Sequence, residues 1–319
     1  MSNNLKIFIT GVSGYLAGAL CRALEHKPEC ERIFGMDVKK PLAKFDKLEF
    51  KHMDINDPAL VKWVSDIRPD VFIHLAYILE ESHDAAFMHR INLDGSKNAL
   101  LAAKAGGVSQ FLFASSGTAY GAWPDNPAEL RESAPLRANP GFHYAVDKQK
   151  VEGFCNQFQA ENPKTAVCMV RPCVVYGPLV NNYISDLLGQ PVIVGPRGYN
   201  PPLQFIHEDD LAGAILRSLE KRATGPVNLA PEDTITMLEI VEMSGRPSLF
   251  LPDAMVEAVV ALQWKLRIPW LNFSTAFLDY IRYPWVLDSS RVRNEIGYKF
   301  KYSSRETVEI LMRAKGWIK

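Results

Sequence analysis

The first half of the chain alternates short, continuous apolar runs with longer stretches of helical spacing. The strand-like runs are Lys6–Thr10, Arg32–Met36, Leu48–His52, Asp70–Ala76, Gln110–Ser115 and Ala166–Val170. The helical stretches are Gly14–Glu25, the residues after Asp57-Pro58, Phe87–Ala105 and Tyr144–Ala160. Strands that are apolar throughout are typical of a parallel sheet covered on both faces. The pattern therefore predicts an α/β fold with a doubly wound parallel sheet, which binds ligands at the carboxyl ends of its strands.

This alternation stops after about Tyr176, which indicates a second unit within the 319 residues. We expect a first domain over residues 1–178 that also receives about 203–225, including a helix over Asp209–Lys221. Residues 179–202 and 226–319 are rich in proline, aromatic residues and short helical stretches. They are expected to form a smaller, mixed lobe that closes over the sheet edge and binds substrate.

Composition gives no support for several classes of protein. Lys plus Arg and Asp plus Glu both number 36, which offers no electrostatic case for nucleic acid or an anionic membrane. No uncharged apolar run reaches 18 residues, so no membrane span is expected, and the polar start MSNNLK predicts no signal peptide. The five cysteines form no CxxC pair, so we expect reduced thiols, a cytoplasmic protein and no metal site, with Cys173 a buried, inert thiol.

The segment Asp253–Trp285 is the richest in aromatic residues and contains Trp264, Trp270 and Trp285. Because charged residues and two prolines interrupt it, a core or lid segment is favoured over a membrane-surface helix. Some of its aromatic side chains are expected to line the roof of the substrate cleft.

The stretch TGVSGYLAG, Thr10 to Gly18, follows the first predicted strand and opens the first predicted helix. Gly11 permits a sharp turn, and Gly14 lets a pyrophosphate approach the backbone at the positive end of the helix. The spacing departs from G-x-G-x-x-G, and alone it is equally typical of a glycine-rich turn.

The second predicted strand gives the stronger indication, because it runs into Asp37, about twenty positions after the last glycine. A carboxylate there accepts hydrogen bonds from the adenosine ribose and repels a 2′-phosphate, so Asp37 favours NAD. Lys39 and Lys40 follow closely and keep NADP open as the less favoured cofactor. A helix cap or a surface carboxylate is the alternative interpretation of Asp37.

Tyr144 and Lys148 are four residues apart and so share one face of a predicted helix. Ser116 follows a buried strand, which places it at the same sheet edge. A tyrosine with a pKa of about 10 is a poor base at neutral pH, but a nearby ammonium stabilises its phenolate. Tyr144 can then accept the hydroxyl proton of an alcohol. The alternatives are an interface tyrosine at Tyr144 and a turn former at Ser116.

In combination these motifs resemble the extended short-chain dehydrogenases/reductases of the NAD-dependent epimerase/dehydratase family. The resemblance runs nearly end to end and includes Thr10-Gly11-x-x-Gly14, Asp37, Asp54-Ile55, His74-Leu75-Ala76, Asn92-x-x-Gly95, Ser115-Ser116-Gly117-Thr118, Tyr144-x-x-x-Lys148, Arg171-Pro172 and Phe205-Ile206-His207. It implies a Rossmann fold, bound NAD and hydride transfer between NAD and a secondary alcohol or ketone. We also expect a small-molecule substrate and a homodimer.

The resemblance also implies roles for single residues. The catalytic group is Tyr144, Lys148 and Ser116, with Thr118 as the alternative to Ser116, and Lys148 also binds the nicotinamide ribose. Asn92 is expected to be structural rather than catalytic. The implied cofactor contacts are Gly11, Ser13, Gly14, Tyr15, Leu16, Asp37, Asp54, Ile55, Leu75, Ala76, Tyr77, Asn92, Tyr144, Lys148, Pro172, Val174 and Val175.

Departures from the family pattern bear on the substrate. Sugar-nucleotide 4,6-dehydratases carry Thr-Asp-Glu where this chain has Ser116-Gly117-Thr118, so dehydration is disfavoured. Many epimerases have an asparagine at the position of Val174 and an Arg-Asp pair at the positions of Leu203 and Gln204. This chain lacks those groups and therefore lacks their contacts to a diphosphate.

Three functions stay open at this point. One is sugar-nucleotide epimerisation through a transient ketone, with the diphosphate held by arginines that the sequence does not locate; Arg197 and Arg282 are the few bases of the second lobe without an evident partner. The second is net oxidation or reduction of a less polar alcohol or ketone beside the aromatic residues Trp264, Trp270, Phe273, Phe277 and Tyr280. The third, of another class, is a non-catalytic dinucleotide-binding sensor or scaffold, which the presence of both Tyr144 and Lys148 disfavours.

Overall fold

The apolar runs of the first half form a parallel sheet in the computed structural model, which describes residues 4–268 and 274–318. The strands in chain order are β1 (Leu5–Thr10), β2 (Cys30–Asp37), β3 (Leu48–His52), β4 (Val71–His74), β5 (Gln110–Ala114), β6 (Ala166–Pro172), β7 (Val174–Tyr176), β8 (Ile193–Pro196), β9 (Pro202–Leu203), β10 (Phe205–His207), β11 (Gly225–Leu229), β12 (Ile235–Thr236) and β13 (Ser248–Leu251).

Most of the helices lie between these strands, and the last three follow β13. In chain order they are α1 (Tyr15–Glu25), α2 (Ala59–Ile67), α3 (Ala85–His89), α4 (Gly95–Gly106), α5 (His143–Glu161), α6 (Tyr183–Leu188), α7 (Glu208–Glu220), α8 (Met237–Ser244), α9 (Asp253–Leu266), α10 (Asp279–Arg282) and α11 (Ser304–Ala314). Short 3-10 turns lie at Gly117–Tyr120 and Thr275–Leu278, and π-helical turns at Arg90–Asp94 and Val292–Ile296.

The main sheet has seven strands in the order β11-β6-β5-β4-β1-β2-β3, and all its neighbours are parallel. The order reverses at β1, whose neighbours are β2 and β4. In such a sheet a crevice opens at the carboxyl ends of the strands where the order reverses. The predicted doubly wound fold is confirmed.

Helices cover both faces of this sheet because its strands are apolar on both sides. Ile7 and Ile9 belong to a core that includes residues of α1 and α7, whereas Phe8, between them, belongs to a core with α2, α4 and α5. This alternation along β1 follows from the two-residue period of a strand. The sheet thereby holds the loops at its carboxyl edge on a rigid support.

The stretch Phe87–Ala105, predicted as one helix, is divided into α3, the π-helical turn Arg90–Asp94 and α4. Asn92 lies in that turn, is fully buried, and accepts a hydrogen bond from the Ile78 amide through Oδ1 at 2.9 Å. A π-helical turn inserts an extra residue into the helix, and here it coincides with a side chain bonded to another loop.

The expected boundary at residue 226 falls inside β11, which pairs with β6 from Gly225 to Leu229. The sequence pattern misses this because Pro226 is a poor signal for a strand, whereas an edge strand tolerates proline. The division of the chain into two domains stays a prediction.

A smaller core lies beyond the sheet and contains Tyr176, Leu203, Phe205, Ile240 and Leu311 among its buried residues. Two-stranded pairs support it, β7 with β10, β9 with β12 and β8 with β13. The sequence predicts short helices after residue 226, but they are not uniformly short, since α9 has 14 residues. The aromatic residues Trp270 and Phe273 lie outside the described residues.

All five cysteines are buried and free. Burial raises the pKa of each thiol above its usual range, to about 12 for Cys21 and Cys168. The remaining three shift in the same direction, namely Cys30, Cys155 and Cys173.

No helix within 4–268 and 274–318 has both the length and the apolar character needed to cross a bilayer. Over the same ranges no group of three or more His, Cys, Asp or Glu side chains is arranged to hold a metal ion.

Candidate active site

A cleft of about 560 Å³ lies at the carboxyl ends of the central strands. It brings together residues that are far apart in the chain, because the ends of parallel strands meet at one edge. The predicted site residues that line it are Gly11, Gly14, Tyr15, Leu16, Leu75, Tyr77, Ser116, Thr118, Tyr144, Lys148, Pro172, Val174 and Val175.

The glycine loop forms one end of the cleft. Gly11 has φ of +70°, and a Cβ atom on it would lie 2.6 Å from the backbone of Ala76. Gly14 caps α1 without any side-chain hydrogen bond to the first turn. The first amide groups of α1 are therefore left for another acceptor, and the loop backbone is bare enough for a pyrophosphate to approach.

We expect Gly11→Ala to lower the free energy of unfolding by at least about 1 kcal/mol more than Gly107→Ala does. Both glycines have positive φ, +70° and +63°, but no atom lies within 4 Å of the Cβ position at Gly107. Urea denaturation of the two variants measures the difference. Equal losses would show that the contact with Ala76 is relieved without cost.

Asp37 ties the glycine loop to the end of β2. Its Oδ2 accepts the Ser13 amide at 3.1 Å and its Oδ1 accepts the Lys39 amide at 3.0 Å. The Ser13 hydroxyl in turn donates to the Lys39 carbonyl at 2.5 Å. A carboxylate has about four acceptor positions, so two backbone donors leave capacity for ribose hydroxyls.

Tyr144, on α5, meets Ser116 at the opposite end of the cleft. The Thr118 amide and hydroxyl donate to Ser116 Oγ at 3.2 and 2.9 Å. The cleft places the Ser116 hydroxyl beside Tyr144. Burial raises the pKa of Tyr144 to about 12, and the Ser116 hydroxyl partly opposes the shift because it stabilises the phenolate.

Lys148 lies one helical turn further along α5 and is buried. Its Nζ donates to the Ala114 carbonyl at 2.5 Å and lies 3.4 Å from the ring centroid of Tyr77 and 5.4 Å from that of Tyr144. Burial lowers the pKa of Lys148 well below its usual range, while the carboxylates of Glu152 and Asp147 act against this shift. The Tyr77 ring adds a cation–π contact to the ammonium.

A buried ion pair supports the strand end that carries Ser116. Arg171 Nε and Nη2 donate to the two carboxylate oxygens of Glu152 at 2.8 and 2.5 Å, and both side chains are buried. The Ser115 hydroxyl donates to the same carboxylate at 2.5 Å. The backbone before Ser116 is thus fixed by a bidentate, charge-assisted contact.

Other predicted cofactor contacts do not line the cleft. These are Ser13, Asp37, Asp54, Ile55, Ala76 and Asn92. Asp54 accepts the amide of Asn56, Ile55 packs beneath Gly95, and Ala76 lies under Gly11. Asn92 Oδ1 accepts the Ile78 amide, and its side-chain amide donates to Asp147 at 3.3 Å; its structural role stays a prediction.

Sequence reasoning missed a wall of apolar side chains in the same cleft. Its members are Phe142, Val180, Ile184, Leu187, Leu188, Met237 and Ile281. The spacing of Ile184, Leu187 and Leu188 is that of one helix face, which is the signal that was available. Phe277, Tyr280 and Trp285 also line the cleft, whereas Trp264 stacks on His83 at 3.9 Å.

Comparison with known proteins agrees with this geometry. The sequence profile of the NAD-dependent epimerase/dehydratase family matches residues 7–230. An uncharacterised protein of Mycobacterium tuberculosis is 25% identical over 317 residues, which span 97% of this chain and 84% of that protein.

Solved structures share the fold over nearly the whole chain. MoeE5 in complex with UDP-glucuronic acid and NAD superposes with a TM-score of 0.77 at 18% identity, covering 98% of this chain and 99% of its own. The UDP-glucuronic acid 4-epimerase of Bacillus cereus, in complex with NAD, has a TM-score of 0.75 at 20% identity and covers 99% and 100%. From the profile match over most of its length, the chain belongs to the NAD-dependent epimerase/dehydratase family.

Proposed function

We propose that this protein is an enzyme that binds NAD and interconverts a secondary alcohol and a ketone. The observation that carries the proposal is that Tyr144, Ser116 and Lys148 line one cleft, which begins at the glycine loop. The bare backbone at Gly11 and the uncapped start of α1 fit a pyrophosphate, and Asp37 fits the adenosine ribose.

The residues divide the chemistry among them. When bound, NAD supplies the hydride acceptor that oxidation of an alcohol requires. Tyr144 takes the hydroxyl proton, and Ser116 hydrogen-bonds the reacting oxygen. In its charged form Lys148 stabilises the Tyr144 phenolate, which opposes the upward shift that burial gives to the pKa of Tyr144. Ser116 and Lys148 are buried and Tyr144 is half-buried, and the exclusion of water strengthens these electrostatic effects.

Calorimetric titration with NAD, NADH, NADP and NADPH tests the cofactor. We expect the non-phosphorylated pair to bind more tightly, because a 2′-phosphate would lie beside the Asp37 carboxylate. Asp37→Asn is the informative variant, since it removes the charge and keeps the shape. Asp37→Asn should reduce the difference in affinity between NAD and NADP. A wild-type protein that binds NADP more tightly than NAD would contradict the assignment of Asp37.

Sugar-nucleotide epimerisation through a transient ketone is a second candidate that uses the same groups. The full-length likeness to structures solved with UDP-sugars favours it. Because epimerisation is redox-neutral, it would convert a UDP-sugar without accumulating NADH. A protein that binds NAD but turns over no alcohol, ketone or sugar nucleotide would instead be the sensor or scaffold.

The oligomeric state and location are also part of the proposal. Five buried thiols with raised pKa values support a protein adapted to a reducing compartment such as the cytoplasm. A homodimer is expected, and light scattering of the NAD-loaded protein measures it.

A further inference from the structure

We propose that the substrate of this cleft is a secondary alcohol or ketone with an apolar body, not a nucleotide diphosphate sugar. This inference rests on the proposed function, because it concerns the substrate of the same site. It is carried by the side chains that line the cleft beyond Tyr144 and by the charges around them.

The wall beyond Tyr144 is mainly apolar. The apolar residues that line it are Ile184, Leu188, Leu203, Met237, Phe277 and Trp285. These side chains come from α6, β9, α8 and the aromatic segment, so the apolar surface is contiguous across several elements. A pocket of this kind binds by removing apolar surface from water.

Two polar side chains of this wall are bonded within the protein. The Tyr280 hydroxyl donates to the Thr118 carbonyl at 2.7 Å, and Trp285 Nε1 donates to the Tyr280 carbonyl at 3.2 Å. Tyr280 and Trp285 therefore present ring carbon to the cleft rather than donors. The neutral amides of Asn181 and Asn182 also line the cleft and bring no positive charge to it.

Positive charge is scarce in the cleft. Among the described residues that line it, the cations are Lys39, next to Asp37 at the nucleotide end, and Lys148, bonded to Ala114. No arginine of the described ranges lines it, and the carboxylate of Glu80 lies at its rim. A diphosphate seated against the apolar wall would therefore lack a charged partner.

Arg282, Arg246 and Arg197 are each engaged in contacts within the protein. Arg282 makes ion pairs with Asp253, Glu257 and Asp279. Arg246 Nη1 donates to the carbonyls of Leu188 and Gln190 at 2.7 and 2.9 Å. Arg197 Nε donates to the Phe250 carbonyl at 3.3 Å. Moving any of them to a diphosphate would break these bonds, and an unpaired buried anion is costly.

The test begins with the NAD-loaded protein and a homologous series of straight-chain methyl carbinols. In each oxidation the alcohol gives its hydroxyl proton to Tyr144 and a hydride to NAD, leaving a ketone and NADH, which is followed by absorbance. We expect kcat/KM to rise about fourfold for each added methylene until the cleft is filled. UDP, GDP, CDP and dTDP at millimolar concentration should leave the melting temperature unchanged.

Met237 and its neighbour Leu238 give a matched pair of variants. Met237 lines the cleft and is half-buried, whereas Leu238 is 48% exposed and is not part of the cleft lining. Met237→Arg should lower kcat/KM for the longer alcohols at least about tenfold and flatten the dependence on chain length. Leu238→Arg adds the same charge outside the cleft and should change neither. Calorimetry with NAD and thermal unfolding verify that the two variants are folded and loaded.

The outcomes separate the inference from the proposed function. Failure to bind NAD would overturn the proposed function itself. If NAD binds, stabilisation by any of the four nucleotides would overturn the inference alone. The same holds if NAD binds and the longer alcohols give neither turnover nor a slope with chain length.

Discussion

Replacement of Tyr144 by phenylalanine is expected to leave NAD binding unchanged and to reduce kcat by about a hundredfold or more. The ring still packs in place, because its centroid lies 5.6 Å from that of the Tyr77 ring and 5.8 Å from that of the Phe142 ring. The cleft therefore keeps its shape. What disappears is the hydroxyl that takes the substrate proton. Calorimetry with NAD and initial rates with an oxidisable alcohol measure the two effects.

The neighbouring Tyr77→Phe is the matched control. Tyr77 lines the same cleft and is also largely buried, but its hydroxyl makes no hydrogen bond within the described residues. Its ring, which lies over the Lys148 ammonium, is retained in the variant. We therefore expect Tyr77→Phe to keep most of the turnover. An active Tyr144→Phe variant would mean that another group is the base.

Replacement of Glu152 by glutamine is expected to lower the free energy of unfolding by about 3–5 kcal/mol. Glu152 and Arg171 are 2% and 4% exposed, so the guanidinium would be left buried with no carboxylate to balance it. Ser115 would also lose the charge of its acceptor. Urea denaturation measures the loss, and a slope that stays constant between variants shows that the same structure unfolds.

Two comparisons sharpen this prediction. Asp66→Asn removes the carboxylate of an exposed pair with Lys62, whose side chains are 60% and 81% exposed, and should cost about 0.5 kcal/mol or less. The double variant Glu152→Leu, Arg171→Met should recover much of the stability, because no buried charge is then unpaired. A loss in Glu152→Gln no larger than in Asp66→Asn would contradict the role given to the buried pair.

Much of the site was predictable because strand ends in a parallel sheet share one edge. The apolar runs located the strands, and the residues that follow β1 and β5 were then bound to lie near each other. Gly11, Ser116 and Tyr144 are separated by more than a hundred positions from first to last, yet they line one cleft. Their catalytic and binding roles are predictions that the variants above address.

Contacts that depend on tertiary packing were not predictable in this way. The helical spacing of the sequence does not distinguish Asn92 from its neighbours. The fold shows that Asn92 Oδ1 accepts a hydrogen bond from the Ile78 amide, and that the helix is interrupted by a π-helical turn at this point. β11 is defined by pairing with a strand more than fifty residues earlier. The sequence showed only that Gln204 stands where many epimerases have a diphosphate contact. The fold shows that its side-chain amide forms hydrogen bonds with the backbone of Pro231 and Leu287.

Because all five cysteines are buried, their thiols can be used to detect local opening of the helices and strands around them. They are spread over α1, β2, α5, β6 and the residue after β6, so both faces of the sheet carry at least one. Because the buried thiols are kept protonated, an aqueous disulfide reagent reaches them only when the surrounding elements separate. The rate at which each thiol is labelled in the native protein therefore measures how often its part of the sheet opens, without any added probe.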